Sequence, residues 1–414
     1  MKLGDAPCPA LRPGIELGVE RVRAVARERD LVPRVPLIAV VGTNGKGGCC
    51  RWLEALALSA GRRPGVFVSP WLDQPGEQIR LSGEPLSAAA FAAAEQALSE
   101  KIPSGQVTEF ELHALLAMEQ ALAHESDALF FEAGMGGEGD AVNAWDADAA
   151  IVTSIGLDHE AWIGPSKDEI ARNKAGIARP GRPVWVAEPN PPESLWRRLQ
   201  VIGADVRRLG TDFGFERRAD GLKIWAAGTE KTQAWAGLPM PVCRQDACLS
   251  VLAASAAAFV NLFPDIALTD RDVLSAIQAP TLPGRLERID AQVPVWLDVA
   301  HNREAVAVLA SQIDDLPRPL RAVFAGLRDK PVSAMYEHMN PHVDHWYPAA
   351  ASPPRGLTRE EMERLGRPAH ADVETALEAA LADAQGKGSV LVFGCFEAVR
   401  RARRMLLASE FGRA

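Results

Sequence analysis

Unbroken apolar runs of four to six residues alternate, along the first half of the chain, with longer stretches in which apolar residues recur every three or four positions. The short runs read as strands buried on both faces, and the longer stretches as amphipathic helices. On this pattern strands fall at 36–41, 65–69, 127–131, 149–154 and 183–187, and helices at 49–60, 87–100, 109–124 and 168–178. The alternation predicts a mainly parallel sheet covered by helices on both faces. Residues 205–238 are choppier and predict a small peripheral β element, followed by an alanine-rich helix over 246–260. The pattern breaks around Thr281-Leu-Pro-Gly-Arg285, and a second alternating series begins. It has strands at 294–297, 321–325 and 389–393, helices at 302–314, 371–385 and 396–408, and a proline-rich loop at 348–354. The expected architecture is α/β: a larger N-terminal domain built on the parallel sheet over 1–284 and a smaller Rossmann-like α/β domain over 285–414.

Composition narrows the functional classes. A chain of 414 residues is too long for one compact core. Its 47% apolar content sustains buried sheets and helices rather than disorder. A net charge of −9 argues against general nucleic-acid binding, which needs a basic face. No apolar run approaches the roughly 20 residues of a membrane span, and the first residues lack the apolar core of a signal peptide. Six cysteines, at 8, 49, 50, 243, 248 and 395, include no Cys-x-x-Cys pair. They read as reduced thiols of a cytoplasmic enzyme.

The candidate chemistry begins where the first strand ends. Val40-Val-Gly42-Thr43-Asn44-Gly45-Lys46-Gly47-Gly48 runs from a strand into a glycine-rich turn with one lysine. Glycines let backbone N–H groups crowd an anion, the lysine adds fixed positive charge, and a helix starting at about residue 48 would present its positive end. That is a phosphate cradle, a nucleotide triphosphate is the expected ligand, and the N-terminal domain is expected to be of the P-loop ATPase type. The spacing departs from the common P-loop, with only Thr43 and Asn44 between the first glycine and the Gly-Lys pair. Gly47 and Gly48 also stand where a magnesium-holding Ser or Thr is usual.

Further groups follow successive strands. Glu132 precedes Ala-Gly-Met-Gly-Gly, and Asp158 and His159 end Ser-Ile-Gly-Leu-Asp-His. A carboxylate at the C-terminal end of a parallel strand is where such folds hold magnesium. Taken singly, each is better read as a loop-end polar group bonded to backbone, and it is their position after successive strands that shifts the balance towards ligands. Lys174 lies in a helical stretch, where most lysines are simply solvated. Arg285, Asp298 and His301 cluster at the start of the second series and suit phosphoryl transfer, where positioning and charge neutralisation dominate. The ten tryptophans are scattered and read as core or pocket walls.

Together these segments resemble the bacterial dihydrofolate synthase/folylpolyglutamate synthase family, within the Mur ligase superfamily. The resemblance rests on Gly-Thr-Asn-Gly-Lys-Gly (42–47), Ser-Pro-Trp-Leu (69–72), Glu-x-Gly-x-Gly-Gly (132–137) and Asp-Ala-Val-Asn (140–143). It continues through Thr-Ser-Ile-Gly-Leu-Asp-His (153–159), Asn-Lys-Ala-Gly-Ile (173–177), Leu-Pro-Gly-Arg (282–285) and Asp-Val-Ala-His-Asn (298–302). It implies that ATP phosphorylates a pterin carboxylate and that the amine of L-glutamate attacks the acyl phosphate, with dihydropteroate or a folate as acid. By the same resemblance, Lys46 and the amides of 42–48 hold the ATP phosphates, and Ser69, Glu132 and His159 hold magnesium. Lys174 matches a lysine carbamylated in this family, Arg285 and Asp298 contact ATP, and His301 helps place glutamate. Lys46, His159, Lys174 and His301 are the expected catalytic set, in a cytoplasmic monomer without nucleic-acid or membrane partners.

Several positions depart from the family pattern. Gly48 replaces Ser or Thr, Trp71 replaces His, and Glu138-Gly-Asp140 stands where Arg-Leu-Asp is common. Gln245-Asp-Ala247-Cys matches a Gln-x-Asn-Ala adenine contact, and Thr108-Glu109-Phe-Glu111 a Thr-Tyr-Phe-Glu substrate segment. The helix before Gly-Val-Glu-Arg (18–21) looks shortened. The alternatives are therefore a working folate ligase, an amide ligase for another acid, and a non-catalytic binding or scaffold protein.

Overall fold

Strand β1 (Leu37–Val41) shows how the large sheet is held. All five residues are buried, yet they face two separate cores. Leu37, Ala39 and Val41 enter one apolar cluster, and Ile38 and Val40 enter the other. Since alternate residues of a strand point to opposite faces, an all-apolar run requires cover on both sides. The computed structural model describes residues 16–227, 232–241, 243–279 and 282–411. The predicted N-terminal shortening and Cys8 lie outside these residues. The chain divides into two compact units, Met1–Pro280 and Thr281–Ala414.

In the first unit β1 is joined by β2 (Pro64–Phe67), β3 (Ile79–Leu81), β4 (Glu84–Pro85), β5 (Ala128–Glu132), β6 (Ala149–Val152), β7 (Pro183–Val186) and β8 (Asp205–Arg208). Their order is β4-β3-β2-β5-β1-β6-β7-β8, parallel from β2 to β8, with an antiparallel hairpin of β3 and β4 at one edge. The helices covering it include α1 (Val19–Glu28), α2 (Lys46–Ser59), α3 (Ala88–Ser99), α4 (Glu109–Ala123), α5 (Glu160–Ile163), α6 (Lys167–Ala175), α7 (Glu193–Ile202), α8 (Asp246–Leu262) and α9 (Asp270–Gln278). Residues 205–238 divide differently from the expectation. β8 extends the large sheet, while β9 (Phe213–Arg218), β10 (Gly221–Ala227) and β11 (Thr232–Leu238) form a separate antiparallel sheet. That sheet puts Phe213, Leu222, Ile224 and Trp235 into the core shared with α2 and α8.

The buried Glu54 of α2 ties the hairpin edge to this face through Arg80 of β3, and Arg51 of α2 pairs with the same carboxylate. The two guanidiniums beside it offset the cost of burying this carboxylate. In the second unit five strands run in the order β12-β13-β16-β14-β15. They are β12 (Glu287–Asp290), β13 (Pro294–Asp298), β14 (Leu320–Phe324), β15 (His345–Pro348) and β16 (Ser389–Phe393), all parallel except β12. Helices α10 (Arg303–Ala310), α11 (Val332–Met339), α12 (Arg359–Glu363), α13 (Val373–Ala384) and α14 (Phe396–Phe411) accompany it. The helix expected over 302–314 stops at Ala310. No described helix is long and apolar enough to cross a membrane.

Two further sequence expectations are corrected. Helix α2 begins at Lys46, not near 48, because Gly45 takes the left-handed conformation of the cap, with φ of 84°. Cys243 and Cys248 are joined in a disulfide, so the cysteines are not all reduced; Cys49, Cys50 and Cys395 are free and buried.

Candidate active site

The phosphate loop connects β1 to α2 and is anchored by the segment after β6. The Thr43 N–H donates to the Ser154 carbonyl at 2.9 Å, and the Asn44 N–H to Ser154 Oγ at 2.8 Å. Thr43 Oγ1 donates to the Gly156 carbonyl at 3.1 Å and accepts from the Gly156 N–H at 2.9 Å. Thr153 Oγ1 closes the loop by donating to the Asn44 carbonyl at 2.6 Å. Gly42 has a φ of 155°, and a Cβ there would lie 1.8 Å from Thr153 Oγ1, so only glycine lets the loop seat so close. With these anchors elsewhere, the first-turn N–H groups of α2 at 46–48 have no intrahelical acceptor. They remain at the positive end of the helix for an anion.

Lys46 curls over this turn, with Nζ 3.3 Å from the Thr43 carbonyl and 3.8 Å from Glu132 Oε1. Glu132 ends β5 beside β1, is 4% exposed, and accepts from the Ser69 N–H at 3.2 Å. Lys46, Glu132 and Ser69 are thus brought together by neighbouring parallel strands. Lys174 enters from α6, where its Nζ donates to the Gly42 carbonyl at 2.8 Å. It is 3% exposed. Burial first, and then the charge of Lys46, push its pKa down to about 7, against the pull of Asp158 and Asp140. Asp158 turns back to accept from the His159 N–H at 2.8 Å. His159 itself sits at a left-handed φ of 55°, its ring 6.3 Å from that of Trp162.

The loop after β5 adds residues whose roles the sequence reading left unassigned. Asp140 is 1% exposed and accepts from the N–H groups of Met135 and Val142 at 2.7 and 3.0 Å. Burial raises its pKa to about 6. Asn173 receives the Gly137 N–H on Oδ1 at 3.0 Å and the Glu138 N–H on its carbonyl at 3.0 Å. It thereby docks that loop on α6 beside Lys174. Both residues lie within motifs already noted, Asp-Ala-Val-Asn and Asn-Lys-Ala-Gly-Ile, and only their backbone targets were hidden. Glu188 holds the Ile155 N–H at 2.9 Å. Glu138 faces Arg198 of α7 at 3.1 Å.

Magnesium chemistry fits this donor set in one form only. Among the described residues no three His, Cys, Asp or Glu side chains are grouped to hold a metal ion. Magnesium usually takes one or two carboxylates, keeps several waters and binds substrate phosphates. Glu132 supplies one such carboxylate next to the phosphate loop.

In the second unit the ends of β13 and β16 gather Arg285, Asp298 and His301 around Phe396. Asp298 accepts from the N–H groups of Leu286 and Ala300, both at 2.8 Å. Desolvation raises its pKa, opposed by Arg285, these two bonds and His301. The Arg285 guanidinium lies 5.3 Å from the Phe396 ring centre, a cation–π distance, and the His301 ring 5.8 Å from the same ring. His301 Nδ1 donates to the Val299 carbonyl at 2.8 Å. Phe396 is the common platform of both side chains, a role that nothing in its local sequence signals.

A phosphate loop at the mouth of a parallel sheet, followed by a second parallel α/β unit, defines a two-unit nucleotide-binding α/β protein. Residues 284–396 match the family described as Mur ligase, glutamate ligase domain. The chain is 34% identical over 404 residues to the dihydrofolate synthase/folylpolyglutamate synthase of Escherichia coli K12, covering 96% of this chain and 93% of that protein. It superposes on E. coli FolC in complex with DHPP and ADP with a TM-score of 0.88, at 33% identity, covering 97% of this chain and 96% of that one. The Yersinia pestis bifunctional folylpolyglutamate synthase/dihydrofolate synthase complexed with AMPPNP and Mn ion gives 0.85, at 33% identity and 95% coverage of both chains. The chain belongs to the dihydrofolate synthase/folylpolyglutamate synthase family.

Proposed function

We propose that this chain is an ATP-dependent carboxylate–amine ligase that adds L-glutamate to dihydropteroate or a folate through an acyl phosphate. The observation that carries this reading is the convergence of Lys46 and the 46–48 amides beside buried Glu132 in a chain of this family. Lys46 and the loop from Gly42 to Gly48 bind the ATP phosphates. Ser69, Glu132, His159 and carbamylated Lys174 hold Mg2+, which supplies charge neutralisation on the phosphates when bound. The depressed pKa of Lys174 supports the modification, because a neutral amine is the form that captures carbon dioxide. Arg285 and Asp298 serve the nucleotide, and His301 orients glutamate. Residues 1–284 act as the nucleotide-binding domain and 285–414 as the glutamate-ligase domain of a cytoplasmic monomer.

Purified protein incubated with ATP, glutamate and dihydropteroate is expected to form dihydrofolate, seen by mass spectrometry, with stoichiometric ADP. Glutamate- and acid-independent ATP hydrolysis, or none, would overturn the assignment. One observation favours a changed acid substrate within the same chemistry. Glu138 stands where the family pattern has a cation, and Arg198 neutralises it from α7. A panel of acids in the same assay separates the two, a changed substrate giving ADP release with another acid and none with pteroates.

Gly48 provides a graded test of the metal site. A Cβ there would meet nothing within 4 Å, so serine fits the first turn of α2. A regained charge-assisted contact is worth roughly 1.5–3 kcal/mol. Gly48→Ser is therefore expected to tighten Mg-ATP by about ten- to a hundredfold in calorimetric titration. Equal affinity in the parent and the variant would show that no contact is missing at this position.

A further inference from the structure

Three of the described cysteines are poor thiol reagents. Cys49, Cys50 and Cys395 are buried, and desolvation raises their pKa values, to about 12 at Cys49 and about 11 at Cys395. The disulfide pair differs: Cys243 and Cys248 are half-buried, five positions apart, with exposed Arg244 and Asp246 between them. Disulfides are uncommon in reducing compartments except where they form and break as part of function.

The position of the pair gives that chemistry a target. Cys248 lies in the first turn of α8, and its N–H donates to the Gln245 carbonyl at 2.9 Å. Three residues on, Val251 Cγ2 would lie 3.7 Å from a Cβ at Gly45, so α8 abuts the phosphate loop. One turn further, Ser255 Oγ lies 3.2 Å from Cys49 Sγ of α2. Arg217 of β9 also grips the closed loop, through the Arg244 carbonyl and through Asp246 Oδ1 at 2.7 Å.

We infer that Cys243–Cys248 is a thiol–disulfide exchange site that sets nucleotide affinity through α8. The inference rests on the reading of 42–48 as the ATP loop. A thiolate of an external dithiol attacks one sulfur of the pair and forms a mixed disulfide. The displaced cysteine leaves as thiolate and takes a proton. The second thiol of the reagent then releases the other cysteine, leaving two protein thiols and an oxidised dithiol. The crosslink holds the start of α8 in place before nucleotide arrives. The reduced protein must order it on binding, which weakens affinity.

Differential alkylation of the isolated protein is expected to show Cys243 and Cys248 protected until a dithiol is added. On reduction, hydrogen exchange of the apo protein should quicken at 248–252 and at 45–50. The Kd for a non-hydrolysable Mg-ATP analogue should rise about three- to tenfold. Cys243→Ser should match the reduced parent and ignore the reductant. Alkylation of both cysteines without reduction, or unchanged exchange at 45–50 after full reduction, overturns the inference. So does an unchanged Kd. Quickened exchange with no analogue bound in either state would instead refute the ATP reading, and with it the affinity control, while leaving the exchange site standing. The comparison uses the parent protein's own two redox states, so it does not depend on the variant folding.

Discussion

Lys46→Ala is expected to lower ATP turnover by at least two to three orders of magnitude while the protein melts within a few degrees of the parent. The lysine supplies the one fixed positive charge of the 42–48 turn and stands 3.8 Å from Glu132. Phosphoryl transfer depends on neutralising charge at fixed positions, and removing one such donor costs roughly 10²–10³ in rate. The fold should tolerate the change, because Thr43, Asn44, Thr153 and Ser154 hold the loop through several bonds and the lysine side chain adds only its contact with the Thr43 carbonyl. ADP release measured beside a thermal melt checks this. Turnover at the parent's level with a normal melt would mean that this loop is not the ATP site.

Lys174 should show a second large effect, and one whose sign in pH is set by its burial. Its pKa falls from 10.5 to about 7 in the folded protein. Below pH about 7 the lysine is protonated in both folded and unfolded chains, and the fold bears the full cost of a buried cation. Between about 7 and 10.5 the unfolded chain binds more protons, so this group adds stability as pH rises, by up to about 1.4 kcal/mol per pH unit. For the unmodified lysine, Lys174→Met should therefore be more stable than the parent at pH 6, and the gap should narrow steadily as pH rises from about 7 towards 10.5. Its activity should fall by roughly 10²–10³, the scale of losing one fixed charge at the reacting phosphates. In Lys174→Ala, short carboxylic acids should restore part of the activity by filling the place of the carbamate. Rescue by short amines instead would assign Lys174 a cationic role and end the carbamate reading.

Much of the site was legible before any coordinates, because it is built from local signals. Gly42 to Lys46 reads as an anion cradle from residue type alone, and Glu132, His159 and Asp298 each follow a buried strand. What escaped were partners remote in sequence. The groups that hold the loop are Thr153 and Ser154, some 110 residues from Asn44. Lys174 looks like a surface helix lysine until the fold brings it to the Gly42 carbonyl and strips its water. The cysteines were misread for a similar reason. A spacing of five has no motif of its own, and only the turn into α8 brings the two Cα atoms to 6.1 Å.

The chain's own periodicity determined the two α/β series, the break near 281–285 and the cradle between β1 and α2. Period-two and period-3.6 burial are local consequences of backbone geometry. Tertiary structure alone decided which strands became neighbours, which sent β8 into the large sheet and β9 to β11 out of it. It also decided which charges lost their water. Strand order and desolvation depend on contacts between distant segments, and no window along the chain contains both partners.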